Sequence, residues 1–430
     1  MKYNTQNKKI KAINEATLIV GVDIGSTTHY ARAFDWRGIE YTNKPLIFNN
    51  SESGFNVFKC WIDMISKRHN KTGCYVGMEP TGHYWFNLGT FIQESGMKLV
   101  HVNPSHVKKS KELDDGNPTK NDSKDPKVIA DLVREGRYII PYSPTGVYAE
   151  IRELSNQRFD DQRELTRVKN RLARWISIRF PEYKDVYQKT DAVSGLMILR
   201  QAPLPEDIVK LGAEGVNRIW RESKLRGIGM KKAAALVSAA EHSIGKKEAS
   251  EAARIEIRNL IEDYDRYKER MDTIMEQLKK QLNKVAYIDK LLAIKGVGIK
   301  TVSGFIAEVG DLGRFKSPRQ IQKLAGLALK EDSSGKHKGE KHINRRGRKR
   351  LRYLMFEVAL AVVGKNKEFK EIYQYYTTRK ENPLKKIPAL IAVACKLIRV
   401  FYTILTKGTD YDGEKMLSDI RRPEKAPEAA

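Results

Sequence analysis

LIVGVDIG, residues 18–25, is the clearest structural signal in the first part of the chain. Its apolar run ends in an acid and a glycine, which predicts a buried strand that stops at a tight turn. GCYVGMEP (residues 73–80) predicts a second buried strand, and MKLVHVN (residues 97–103) predicts a third. Working outward, we predict strands over 28–36 and 42–48 and helices over 52–67, 83–96 and 122–136.

Strands that come first, followed by alternating strands and helices, are typical of an α/β domain with a mixed sheet. We place this domain at residues 17–147. Residues 1–16 are polar and are predicted to be flexible.

From residue 148 the chain becomes helical in character. Residues 148–178 and 246–286 are long, charged and periodic, which predicts two helices that can pair as an antiparallel coiled coil over 148–287. Single helices lying on a globular body explain the pattern equally well. Residues 183–245 form a smaller helical insert between them.

The last predicted domain is helical and covers residues 288–407. Its most apolar stretch, residues 388–405, contains Lys396 and Arg399, which favours a buried helix over a membrane span. The tail, residues 408–430, is polar and contains proline, which predicts disorder.

The charge balance points to a polyanionic partner. The 430 residues carry 79 Lys and Arg against 53 Asp and Glu, a formal net charge of +26. Such a field attracts nucleic acid without regard to sequence. The three cysteines are too few and too scattered for a disulfide framework or a zinc site. No apolar signal segment opens the chain, so we expect a cytoplasmic protein without a membrane partner.

Four acids form the first candidate site. Asp23 and Glu79 end buried strands, and Asp122 and Asp125 lie three apart at the start of a helix. Carboxylates so placed can hold two Mg²⁺ ions, which would clamp the attacking and leaving oxygens of a phosphodiester. Taken alone, Asp122 and Asp125 can simply cap their helix, and Asp23 can belong to a nucleotide phosphate loop. Glu79 is hardest to explain otherwise, because an unpaired charge on a core strand is costly.

The second candidate site is the segment SSGKHKGEKHINRRGRKRLR, residues 333–352. A serine in its Ser-Gly turn can act as a nucleophile if its hydroxyl is activated. From the residues alone, an ordinary loop beside a basic patch is the favoured interpretation. In both cases we expect phosphate contacts from the basic residues Lys336, Lys338, Arg345, Arg346, Arg348, Lys349, Arg350 and Arg352.

The third element is the turn KGVGIK, residues 295–300. Two helices joined by Gly296 and Gly298 resemble a helix-hairpin-helix, whose backbone N–H groups can approach a phosphate. We therefore also expect contacts from Lys295 and Lys300. A plain turn between helices is the alternative.

These motifs resemble those of the DEDD transposases of the insertion-sequence-110 family, including its 1111 subgroup. GVDIGSTTHY resembles the strand that carries the family's first acid, here Asp23. MEPTGHYW and KNDSKDPKVIADL resemble the motifs that supply the other acids, here Glu79, Asp122 and Asp125. The resemblance covers roughly residues 17–150 and 288–375.

The resemblance implies a RuvC-like, RNase H-type amino-terminal domain, a coiled coil and a carboxy-terminal transposase domain with a serine nucleophile. It implies Mg²⁺, for which Mn²⁺ can substitute, and a covalent protein–DNA link through Ser334. It also implies a noncoding bridge RNA, element-end and target DNA, and a homodimer or homotetramer in a prokaryotic cytoplasm, at the nucleoid when acting.

Several positions depart from the family pattern. Pro80 replaces a small residue, Ala328 stands where proline is frequent, and Arg348 follows Gly347 where the family usually has asparagine. Ser333 precedes Ser334, so the choice of Ser334 rests on the glycine that follows it. The insert at 183–245 matches no motif of the family.

Three other functions fit part of the sequence. A resolvase-like nuclease would use the four acids with water as nucleophile. A sugar-kinase or actin-like ATPase would use DIGST as a phosphate loop, but no convincing second phosphate motif follows, and the net charge of +26 suits it poorly. A nonenzymatic nucleic-acid-binding protein leaves Glu79 unexplained.

Overall fold

The computed structural model describes residues 2–115, 125–330, 333–334, 337–338, 342–418 and 420. It divides the chain into two compact units, Met1–Ser143 and Pro144–Ala430. Two predicted site residues, Asp122 and Lys336, lie outside the described residues.

The first unit is built on a six-stranded sheet of order β3-β2-β1-β4-β5-β6. Its strands are β1 (Thr17–Ile24), β2 (Thr28–Phe34), β3 (Leu46–Asn49), β4 (Gly73–Met78), β5 (Lys98–Val102) and β6 (Tyr138–Ile139). Strands β1, β4 and β5 are parallel, whereas β2, β3 and β6 each run antiparallel to their inner neighbour. The predicted α/β region with a mixed sheet is therefore confirmed.

In the part of this unit that the structure describes, the sheet is accompanied by helices α1 (Lys2–Lys11), α2 (Glu52–Arg68), α3 (Phe86–Glu94), α4 (Pro104–Asp115) and α5 (Asp125–Arg134). Helices α2 and α3 bury Phe58 and Ile92 against one face of the sheet. Helix α5 covers the other face with Ile129 and Val133. Helices thus cover both faces of the sheet, so the side chains on either face of a central strand are buried. This explains why β1 is almost wholly apolar.

Two segments of this unit differ from the prediction. Residues 2–11 form a helix instead of a flexible end, and residues 104–115 form a helix that was not predicted. The first is fixed by long-range contacts: Lys9 donates a hydrogen bond to the Tyr138 carbonyl and lies 4.8 Å from the centre of its ring. Such contacts join positions far apart in the sequence, so local composition does not reveal them.

Two histidines are buried in this unit, His29 and His101. Burial lowers the pKa of both, that of His101 to about 4. An unfolded histidine has a pKa of about 6.5 and binds a proton that the folded one excludes. The stabilisation should therefore be complete above about pH 6.5 and should be lost as the pH falls. For His101 this loss should continue towards pH 4, at up to about 1.4 kcal/mol per pH unit.

We expect the substitution His101→Leu to reduce this pH dependence, because the leucine binds no proton in either state. The measurement is urea unfolding of both proteins across this pH range, with the exposed His106→Leu as control. Equal slopes of unfolding free energy against pH in the native chain and His101→Leu would contradict the assignment.

The second unit is mostly helical. Its helices are α6 (Gly146–Arg179), α7 (Tyr183–Val186), α8 (Val193–Gln201), α9 (Pro205–Glu222), α10 (Met230–Glu241), α11 (Ser250–Leu282), α12 (Ile288–Leu292), α13 (Ile299–Val309), α14 (Pro318–Leu324), α15 (Lys349–Lys365), α16 (Lys367–Thr378), α17 (Lys386–Lys407) and α18 (Gly413–Leu417). The described residues between α14 and α15 include the two-residue strands β7 (Leu329–Lys330), β8 (Ser333–Ser334), β9 (His337–Lys338) and β10 (His342–Ile343).

The long helices α6 and α11 lie side by side and antiparallel. The Trp175 indole donates to the Ala253 carbonyl at 3.2 Å, and Arg270 forms an ion pair with Asp161 at 2.9 Å. The residue nearer the end of α6 contacts the start of α11, and the residue nearer the middle of α6 contacts a later part of α11. The two helices are therefore antiparallel. One end of the pair joins the core of the insert helices, and the other joins the core of α12–α18.

The end of the chain holds two further features. Helix α17 is long and apolar enough to cross a membrane by length and composition alone, yet Val393, Leu397 and Phe401 are buried in the core of this unit. The prediction that the tail is disordered is wrong for α18, because Met416 and Leu417 of this helix are buried in the same core. Asp412 caps this helix by accepting from the Lys415 N–H at 3.0 Å.

Candidate active site

A pair of glycines lets α5 rest directly on the sheet. Gly21 of β1 and Gly77 of β4 are register partners. A Cβ at Gly21 would lie 1.8 Å from the Pro126 carbonyl oxygen, and one at Gly77 would lie 2.5 Å from a Val133 methyl carbon. Any larger residue would push the helix away. The glycine pair therefore fixes the first turn of α5 over β1.

The predicted acids follow from this packing. Asp23 and Glu79 stand two residues beyond Gly21 and Gly77, so alternation places both on the face that α5 covers. Asp125 is the first residue of α5 and precedes Pro126. The structure thus brings Asp23, Glu79 and Asp125 to one edge of the sheet, at the carboxyl ends of two parallel strands.

The electrostatics of Glu79 show how close these groups are. Burial raises the pKa of the Glu79 carboxyl above its ordinary value, the Lys111 ammonium lowers it, and the Asp125 charge raises it again. Lys111, on α4, forms an ion pair with Asp125. A lysine thus lies among the carboxylates at this edge, a residue that the sequence analysis did not single out.

The donor chemistry of the cluster suits a hard cation. Carboxylate oxygens are the ligands that Mg²⁺ prefers, and Asp23, Glu79 and Asp125 would offer them from three elements. Within the described residues, no group of three or more His, Cys, Asp or Glu side chains has the arrangement of a metal site.

The serine segment lies in the second unit on paired strands. The backbone of Ser334 pairs with His337, and that of Ser333 pairs with Lys338, in an antiparallel ladder. A second ladder joins Leu329 to Ile343 and Lys330 to His342. The structure therefore places both serines in a short strand, where a flexible turn was expected.

The basic residues after the serine fall into two groups. Arg345, Arg346 and Lys349 are exposed. Arg348, by contrast, donates to the Glu308 carbonyl and lies 3.5 Å from its carboxylate.

Two further arginines of this segment make contacts within the protein. Arg350 donates to Asn156 at 2.7 Å and covers the Phe159 ring at 4.1 Å. Arg352 donates to two backbone carbonyls, those of Ala325 and Arg345, each at 3.0 Å. Half of the six described arginine and lysine side chains predicted to contact phosphates here thus hold α15 in place.

The turn between α12 and α13 has an open outer side. Gly296 adopts a φ of +96°, and a Cβ there would lie 3.0 Å from the Val362 backbone of α15. Gly298 precedes the first residue of α13, no atom lies within 4 Å of where its Cβ would be, and no side chain caps the helix. The flanking Lys295 and Lys300 are exposed.

Two family models match the chain. A model described as "Transposase", of the DEDD type, covers residues 20–181, and a model described as "Transposase IS116/IS110/IS902 family" covers residues 288–374. Together they span more than half of the sequence and include both candidate sites. The chain belongs to the IS110/IS116/IS902 family of transposases.

Relatives of this transposase support the assignment over about nine-tenths of its length. It is 23% identical over 393 residues to an uncharacterized 44.8 kDa protein of insertion element IS116 from Streptomyces clavuligerus, which covers 90% of this chain and 94% of the relative. It is 22% identical to the corresponding IS110 protein of Streptomyces coelicolor, over 92% and 95% of the two chains. A pilin gene-inverting protein of Moraxella lacunata is 27% identical over 56% of this chain and 78% of its own.

Two features that shape the candidate site were not predicted from the sequence. The first, the glycine pair, left a visible signal, because VGVD and YVGME both place a glycine two residues before the acid. The second, Lys111, left none. It stands in a segment rich in lysine, and only the packing of α4 beside α5 distinguishes it from its neighbours.

Proposed function

We propose that this transposase catalyses Mg²⁺-dependent, RNA-guided strand exchange on DNA through a covalent phosphoserine intermediate. The convergence of Asp23, Glu79 and Asp125 over the Gly21–Gly77 pair carries the proposal. Under it, the sheet domain is RuvC-like and of the RNase H type, and α6 and α11 form the coiled coil. The domain over 288–407 supplies the serine and a helix-hairpin-helix.

Each acid has a role in this proposal. Asp23, Glu79, Asp122 and Asp125 would hold two Mg²⁺ ions, or Mn²⁺ in their place. When bound, these ions would neutralise charge on the phosphate and polarise its oxygens. The partial burial of Glu79 limits access of water, which strengthens electrostatic interactions at this edge.

Ser334 is the proposed nucleophile. Its Oγ gives up a proton and forms a bond to phosphorus as the bond from phosphorus to the departing DNA oxygen breaks. That oxygen then takes up a proton. Attack by the hydroxyl of a second DNA strand reverses the step, releases the serine and joins the new strands.

The basic surface would hold the DNA backbone during this exchange. The exposed Arg345, Arg346 and Lys349, together with Lys295 and Lys300 at the α12–α13 turn, are its proposed contacts. Lys336 and Lys338 are proposed as further phosphate contacts. We further propose a bridge RNA that pairs with element-end and target DNA, and a homodimer or homotetramer in the cytoplasm.

The deciding experiment is a denaturing-gel assay for protein linked covalently to labelled element-end DNA, with cognate RNA and Mg²⁺. The native chain should give a shifted band, and Ser334→Ala should lose it completely because no other atom replaces Oγ. Ser333→Ala is the matched control and should retain the band.

Other outcomes would replace the proposal. Cut DNA without a covalent band in any protein would indicate a resolvase-like nuclease that uses water. A band that is lost in Ser333→Ala and kept in Ser334→Ala would move the nucleophile by one residue. Binding without cutting under all conditions would support a nonenzymatic DNA-binding role.

A further inference from the structure

Directly after Glu79, the chain forms a loop rich in aromatic residues. The segment TGHYWF, residues 81–86, leads from the end of β4 into the first residue of α3, and we call it the aromatic loop. It begins at the carboxyl end of β4, so it lies at the sheet edge that carries the carboxylates.

Trp85 anchors the aromatic loop to the unit. Its ring meets the buried His101 ring edge-on, with centroids 4.3 Å apart. Gly89 of α3 makes room for it, because a Cβ there would lie 2.8 Å from the Trp85 ring. The Phe86 ring in turn rests edge-on against Trp85 at 4.8 Å. The loop is therefore held by packing and presents its outer rings from a fixed base.

Two of those outer rings face solvent. Tyr84 is 38% exposed and Phe86 is 54% exposed. The His83 ring lies 4.5 Å from that of Tyr84. Leaving large rings in water forgoes the free energy that burial would supply, so adjacent exposed aromatics beside a polar site indicate a binding surface.

The charge around the aromatic loop indicates an anionic partner. Helix α4 begins where β5 ends, at the same edge, and its Lys108 and Lys109 are exposed. Lys111 follows on that helix and is close enough to affect Glu79. The exposed rings follow the carboxyl end of β4, and the lysines follow the carboxyl end of its neighbour β5. Rings and cations at one edge match single-stranded nucleic acid, whose bases stack on aromatic faces while its phosphates meet cations.

We propose that the aromatic loop stacks on an unpaired base of the DNA strand, next to the phosphate that is cut. The inference rests on the proposed function, since it places that phosphate at Asp23, Glu79 and Asp125. Stacking there would separate the scissile step from the duplex and hold its phosphate at the carboxylates.

The test uses the full chain and a single-stranded DNA oligonucleotide that carries the fluorescent base 2-aminopurine. Stacking on a ring quenches this base, and titration gives the affinity without any need for cleavage. Tyr84→Leu and Phe86→Leu remove the rings and keep apolar bulk, whereas Tyr84→Phe keeps the ring.

A matched control lies on the same unit at the opposite edge of the sheet. Trp36 is 42% exposed and follows the end of β2, which runs antiparallel to β1. Trp36→Leu should therefore leave both affinity and quenching unchanged. Thermal unfolding of each variant confirms that it is folded.

We expect each leucine variant to bind the single strand between about fivefold and about 150-fold more weakly. Quenching should also fall, and binding to duplex DNA should change little. Tyr84→Phe should match the native chain.

Equal affinity and quenching in the folded leucine variants would overturn the inference. Equal losses on single-stranded and duplex DNA would also overturn it, because phosphate contacts would then explain the effect. A ring-dependent preference for an RNA oligonucleotide of the same sequence would overturn the assignment to DNA. If the native chain stacks on the base but never cuts DNA or forms a covalent link to it, the proposed function would be wrong. Base stacking by the aromatic loop would still be established.

Discussion

Asp23→Asn should reduce DNA cleavage by at least about a hundredfold, the loss expected when one preorganised charge of a reaction centre is removed. Asparagine has nearly the same shape as aspartate but carries no charge, so the fold of β1 should persist. Most of the DNA affinity should remain, because it comes from a net charge of +26 spread over the chain. The measurements are cleavage of labelled element-end DNA and equilibrium binding to the same DNA.

Two further variants, one expected to lose cleavage and one expected to keep it, test the same assignment. Glu79→Gln should behave like Asp23→Asn, because both acids stand at the ends of neighbouring strands. Asp63→Asn, an exposed acid of α2 that pairs with Lys59 at 2.9 Å, should cleave normally. Full cleavage by Asp23→Asn would eliminate the metal-site assignment, and a parallel loss of binding would show that the substitution acts through the fold instead.

Gly21→Val should destabilise the first unit by about 3 kcal/mol or more, at or above the upper end of the usual range for an overpacked core. The added Cβ would lie 1.8 Å from the Pro126 carbonyl oxygen, which belongs to the backbone and cannot rotate away. Helix α5 would have to move and take Asp125 with it. Cleavage should therefore be lost together with stability, as measured by urea unfolding and by the DNA assay.

Gly73→Val is the matched control for this substitution. Gly73 begins β4, and nothing lies within 4 Å of the position of its Cβ. Valine favours extended backbone, so this variant should be as stable as the native chain. Native stability in Gly21→Val would show that α5 is not held against the sheet by this glycine.

The strands of the sheet could be predicted from local sequence because their composition is extreme. A continuous apolar run such as LIVGV has no stable place outside a core, so its burial follows from the hydrophobic effect alone. The same holds for β4 and β5, and the position of Asp23 and Glu79 at strand ends follows directly. Helices α1 and α4 were missed because each is polar and is stabilised by contacts with distant residues.

The α/β region followed by a helical region, the positive charge and the acids that end two core strands could all be predicted from the sequence. Each of these features depends on the composition of a short segment or on the spacing of its apolar residues, and both are properties of residues that are close in the sequence. The tertiary structure decided which groups share a site. In the folded chain α5 packs directly on Gly21, and Lys111 forms an ion pair with Asp125. The side chains of Arg348, Arg350 and Arg352 form hydrogen bonds within the protein. A residue type fixes the charge and the hydrogen-bonding groups of a side chain. Which partner those groups contact depends on packing between residues that are far apart in the chain.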